Sequence, residues 1–106
     1  MDNVKQFDYN SINKLDYEDI SHPYYFTCSM VSTCAPLFDG CDDNYEVESL
    51  LVKNGVITKG CERDSEMCQM FVNFKRKDAA RRFIDRLNKY LNKRAEQLVE
   101  LKASGF

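Results

Sequence analysis

The chain has 106 residues, 43% hydrophobic and 30% charged, which describes an ordered protein rather than a disordered one. That length points to a single domain over residues 1–106. No apolar run approaches the roughly 20 residues of a membrane span, the first residues lack the basic start and apolar core of a secretory signal, and five irregularly spaced cysteines argue against an extracellular disulfide framework. The expected setting is therefore the cytoplasm, with reduced thiols.

The net charge of −2 conceals an asymmetry. Residues 1–50 carry ten acids against Lys5 and Lys14, a net of −8, whereas residues 51–106 carry thirteen bases against seven acids, a net of +6. Two readings follow. Either each half presents a surface to a polar partner, or the two halves neutralise each other within the fold.

Residues 1–22 form an acidic N-terminal segment with apolar anchors at Val4, Phe7, Ile12, Leu15 and Ile20. Ser11 can cap a short helix running to Asp19, because its hydroxyl can accept from free backbone amides. An irregular arm lying on the domain fits the same residues. His22-Pro23 closes the segment, since proline pushes the preceding residue out of the helical region.

Residues 23–75 read as a β-sheet region. Over 24–34, Tyr24, Phe26, Cys28 and Met30 alternate with Tyr25, Thr27, Ser29 and Val31, the period of a strand. Residues 35–45 carry turn chemistry. The segments Glu46–Lys53 and Val56–Lys59 flank Asn54-Gly55, which suits a type I′ turn, so residues 46–60 are expected to form a β-hairpin. After a polar connection, Met67–Phe74 reads as a further strand.

Residues 78–102 contain neither Gly nor Pro and read as one amphipathic helix. Asp78 is the expected N-cap. Ala80, Phe83, Ile84, Leu87, Leu91, Leu98 and Leu101 form the apolar stripe, with Tyr90 and Ala95 beside it, and Gly105 is the expected stop. The predicted fold is α+β: a small antiparallel sheet of about four strands packed on one long C-terminal helix. The even-numbered faces of the first and last strands turn toward that helix. The helix spans roughly 37 Å at 1.5 Å per residue, against a radius of gyration of about 13 Å for such a domain. Its last turns are thus expected to project, with Leu98, Val99 and Leu101 as self-association contacts of a homodimer.

Arg82, Arg86, Lys89 and Lys93 recur at intervals of four, three and four and share one helix face, preceded by Lys75, Arg76 and Lys77. Such a stripe can dock an acidic protein surface or neutralise phosphates. In the acidic half, Asp2, Asp8, Asp16, Glu18 and Asp19, interleaved with Tyr9 and Tyr17, and the pair Asp42 and Asp43 can bind a basic groove or mimic nucleic acid. The run around Asp42 lacks the alternating oxygen ligands of a Ca²⁺ loop.

Tyr25, Thr27, Gln69, Phe71 and Asn73 fall on the other sheet face, where Tyr25 and Phe71 could stack with bases. The residues Phe71-Val72-Asn73-Phe74, Ala79-Ala80 and Leu87-Asn88 resemble the third strand and second helix of an RNA recognition motif. Met67, Cys68, Gln69 and Met70 stand where that motif has a basic residue, a glycine, an aromatic and a small residue, and residues 103–106 leave no room for its closing strand.

Cys28 and Cys68 are expected to face inward as small hydrophobes, with Cys34, Cys41 and Cys61 in or beside loops. The spacings do not match paired zinc ligands, although a Cys61–Cys68 cross-link is conceivable under oxidation. His22 is the only histidine, and no nucleophile elbow or phosphate-cradling loop is present. The expected function is a non-enzymatic, cofactor-free protein-binding module, a small regulator or inhibitor that docks by charge complementarity. Small size without catalytic motifs suits an accessory protein of a phage or other mobile element. An RNA or single-strand binder is the second reading, and a Cys-based metal or redox protein the third.

Overall fold

The computed structural model describes residues 6–103, with side chains as far as Val99. Val4 and Gly105, and the side chain of Leu101, lie outside the described residues. The elements in chain order are a 3-10 turn at Tyr9–Ser11, β1 (Asn13–Lys14), β2 (Tyr24–Cys28), α1 (Met30–Thr33), α2 (Asn44–Lys53), β3 (Glu62–Arg63), β4 (Met70–Phe74) and α3 (Lys77–Ala103). The four strands form one antiparallel sheet in the order β1-β2-β4-β3, with α3 as the long C-terminal helix.

Alternation along β2 and β4 sets the core. Phe26 pairs with Val72, Tyr24 with Phe74 and Cys28 with Met70, so the even-numbered residues share one face. On that face Phe26, Met70, Val72 and Phe74 are buried against the stripe of α3 formed by Ala80, Phe83, Ile84, Leu87, Leu91 and Ala95. Phe83 joins the two layers, its ring 5.4 Å from Phe26 and 5.2 Å from Phe74. Truncating a buried ring of this kind to alanine costs about 3–5 kcal/mol.

Residues 46–60 are not a β-hairpin. Residues 44–53 form helix α2 instead. Asp43 caps it by accepting from the Glu46 amide at 3.1 Å, and Val47 and Leu51, four apart, are both fully buried. Asn54-Gly55 serves as the helix stop. Gly55 takes φ 75°, its amide donates to the Val52 carbonyl at 3.1 Å, and the Val56 amide reaches back to the Leu51 carbonyl at 2.9 Å. This is the Schellman arrangement, with buried Val56 packing at the same end as Leu51. The sheet's tight hairpin is instead β3–β4, closed by paired bonds between Glu66 and Gln69. Cys68 sits in that turn and is exposed rather than facing inward.

Three further expectations change. Asp78 is not the N-cap of α3 but lies inside its first turn, because the helix begins at Lys77 and the Ala80 amide already donates to the Arg76 carbonyl at 3.2 Å. The strand begun at Tyr24 stops at Cys28, because Met30–Thr33 turn into α1, where the Val31 amide is held by the Asn44 side chain at 3.3 Å. Asn44 is 1% exposed and also donates to the Met67 carbonyl at 2.9 Å, so it ties α1, α2 and the β3–β4 turn together. Ser11 caps no helix to Asp19; it ends the 3-10 turn, and residues 12–19 form no helix. Asn13 and Lys14 pair with Tyr25 and Tyr24 as an edge strand, and the preceding residues lie as an arm on α3.

The molecule is elongated, 54 × 24 × 21 Å, with a radius of gyration of 14.4 Å. Leu98 still packs against the core, and Val99 is 43% exposed near the end of α3. Among the described residues no helix is long and apolar enough to cross a membrane.

Candidate functional site

Helix α3 carries three faces. The apolar face closes the sheet. A polar face at Arg81, Asp85, Asn88 and Asn92 receives the N-terminal arm. There Asn92 accepts from the Gln6 side chain at 2.9 Å, Asn88 binds the Phe7 backbone, Asp85 accepts from the Tyr9 hydroxyl at 2.9 Å, and the Arg81 guanidinium lies 5.4 Å from the Tyr9 ring centre. The hydrogen bond to Asp85 raises the Tyr9 phenol above its ordinary 10.0, because that bond favours the protonated form. Tyr9 is thus engaged within the chain and is not part of a free acidic surface.

The third face is the basic stripe, and it fronts a groove. Arg86, Lys89, Tyr90, Lys93 and Arg94 form one wall, and Leu50, Asn54, Gly55 and Val56 at the end of α2 form the other, enclosing about 360 Å³. A second cavity of about 420 Å³ continues toward the start of α3, lined by Thr58, Cys61, Phe74, Lys75, Arg76, Arg82 and Arg86. Arg86 borders both.

The charge state of this groove follows from its contacts. Arg76 and Arg82 both reach Asp78, at 3.4 and 2.9 Å, and the bond from Arg82 holds the Asp78 carboxyl below its ordinary 3.8. Arg86, Lys89 and Lys93 make no ion pair among the described residues. The Arg86 Nε instead donates to the Val56 carbonyl at 3.0 Å. Arg94 donates to the Leu37 carbonyl through Nε and Nη2, at 3.0 and 2.7 Å, and stacks 4.9 Å from the Phe38 ring centre. Carbonyls position both guanidiniums without cancelling their charge.

The acidic groups are divided between the two ends of the sheet. Asp16, Glu18 and Asp19 lie exposed in the loop from β1 to β2, at the Tyr24–Phe74 end, with Asp19 at φ 64°, a conformation aspartate tolerates. Tyr17 in that loop is 73% exposed. Asp42 and Asp43 lie at the start of α2, which meets the Cys28–Met70 end through Asn44. Asp43 is the helix cap, a structural role. Glu48, paired with Arg63 at 3.6 Å, is the only acid of the first half in an ion pair among the described residues. Among the described residues, the acidic half therefore does not neutralise the stripe by direct contact.

Tyr25 and Phe71 are half-buried on the sheet face turned away from α3, as their odd register requires. Phe7 packs on the other side, 5.1 Å from Phe26 and edge-on to it, so the arm at Phe7 does not cover them. Cys41, Cys61 and Cys68 are free thiols. Burial, and next the carboxylate of Glu46, push the Cys41 thiol above its ordinary 9.0. His22 contacts Glu62 at 3.2 Å and the Ser21 hydroxyl at 2.8 Å. Among the described residues no three His, Cys, Asp or Glu side chains gather as a metal site.

Arg94 was not singled out by sequence reasoning, and Asn88 entered only through the resemblance to an RNA recognition motif. Arg94 falls between the basic and apolar stripes, and both make contacts to residues far away in the chain. Comparison with protein-family models, with curated proteins and with solved structures finds no match.

Proposed function

We propose that this chain is a non-enzymatic protein-binding module, a small regulator or inhibitor that docks an acidic protein surface on the basic face of α3. One observation carries the reading: Arg86, Lys89 and Lys93 line a groove and pair with no carboxylate among the described residues. Charge left uncompensated in this way steers encounter and selects partners of opposite sign. The free thiols of Cys41, Cys61 and Cys68 suit a reducing compartment such as the cytoplasm.

Binding of single-stranded nucleic acid is less well supported. Stacking residues and phosphate contacts need to share one surface, whereas Tyr25 and Phe71 lie on the opposite side of the sheet from α3. To test the docking reading, the wild type and a variant with Arg82, Arg86, Lys89 and Lys93 all replaced by Glu are immobilised and exposed to extract of the native host. The reading expects a retained protein that elutes as salt rises and that the variant does not hold. Equal retention by both, with equal salt dependence, removes α3 from the interface.

A further inference from the structure

We infer that the cavity between α3 and the end of α2 receives a short acidic peptide segment carrying one apolar or aromatic anchor. The inference rests on the docking reading above and specifies the partner's chemistry.

Arg86 is the centre of the argument. It is half-buried, and its Nε is committed to the Val56 carbonyl. Its two terminal nitrogens have no partner among the described residues. A guanidinium held by a carbonyl keeps its full charge and has already lost part of its rotamer freedom. Capture of a carboxylate by the remaining fork then costs little further ordering. Arg94 is fixed the same way by Leu37 and by the rings of Phe38 and Tyr90. Lys89 and Lys93 add exposed point charges beside them.

The cavity between these cations is not uniformly polar. The half-buried Leu50 and Tyr90 contribute apolar surface to it, and about 360 Å³ is ample for a Phe or Leu side chain. A sugar-phosphate backbone would satisfy the cations and leave the apolar floor unused. An acidic peptide with one hydrophobic residue uses both. One interval agrees: Lys89 and Lys93 are separated by about 6 Å along the helix, and side chains on one side of an extended peptide recur at about 6–7 Å. The neighbouring cavity near Arg82 is a weaker receptor, because Asp78 already pairs with Arg76 and Arg82.

Fluorescence anisotropy with three labelled probes tests this. The probes are a short polyglutamate peptide with one central phenylalanine, the same peptide with serine in that place, and an oligothymidylate of equal length. Wild type, Arg86→Gln, Lys89→Gln, the four-Glu variant and Arg81→Gln are compared after circular dichroism confirms folding. Arg81 lies on the arm face and is the charge control. The expected result is tightest binding of the phenylalanine peptide, weakened about ten-fold by serine and about ten-fold by Arg86→Gln, with no change for Arg81→Gln. Should Arg86→Gln fail to fold, a loss with the exposed Lys89→Gln carries the test. If the two peptides bind wild type equally and only the four-Glu variant loses both, the anchored groove is wrong and the docking face stands. If neither peptide binds, or oligothymidylate binds most tightly, both readings fall.

Discussion

Asn88 grips Phe7 by both of its backbone groups. The Asn88 Oδ1 accepts from the Phe7 amide at 2.9 Å, and the Asn88 Nδ2 donates to the Phe7 carbonyl at 2.7 Å, as a neighbouring strand would. This seats the Phe7 ring edge-on to Phe26 in the core. Replacing Asn88 with Ala removes both bonds and is expected to cost about 2 kcal/mol. Asn88→Asp keeps the acceptor but sets an oxygen against the Phe7 carbonyl, so it does not rescue. Urea unfolding gives the loss, and hydrogen exchange should show the arm opening while α2 stays protected.

Gly55 ends α2 with φ 75°. A β-carbon there would meet no atom within 4 Å, so Gly55→Ala is penalised by backbone conformation alone. The expected destabilisation is about 1–2 kcal/mol, read by thermal unfolding. A neutral result would mean that the Schellman bonds at Leu51 and Val52 do not hold this end.

What could be read from the sequence, and what could not, turns on the range of the interactions. Phe26, Val72 and Phe74 announce their strands because a period of two is local, and the stripe from Ala80 to Leu91 announces α3 in the same way. Asn54-Gly55 is ambiguous, since positive φ at glycine serves either a hairpin or a helix stop. The deciding signal lay upstream, in the cap pair Asp43 and Glu46 and the helical spacing of Val47, Leu50 and Leu51. β1 and β3 have two residues each, too few to leave any period. The basic stripe was legible, but its groove was not, because the opposite wall at Leu50 and Val56 exists only once α2 is a helix.

Asp78 makes the start of α3 acid-sensitive. Its carboxyl titrates below 3.8 because Arg82 hydrogen-bonds the ionised form, with Arg76 adding to the effect. A group whose folded pKa is depressed contributes fully above its unfolded value and loses that contribution as pH falls through the lower folded value. NMR titration should place the Asp78 carboxyl below 3.8, and Arg82→Gln should move it upward. Both side chains are exposed, so the effect on global stability is small.

Thiol reactivity should follow environment. Cys68 lies exposed in the β3–β4 turn, whereas burial raises the Cys41 thiol and lowers its thiolate fraction. Limited maleimide treatment at neutral pH followed by peptide mass spectrometry is expected to label Cys68 well before Cys41. The reverse order would contradict the packing of Cys41 against the core.

The central claim is that the partner meets the basic face of α3 and not the open face of the sheet. Photo-crosslinking residues placed singly at Lys89 and at Tyr25 test it most directly, in the full chain with its host extract. The account predicts a protein adduct from position 89 that high salt abolishes, and none from position 25. A protein or nucleic-acid adduct formed at position 25, with position 89 silent, would contradict it.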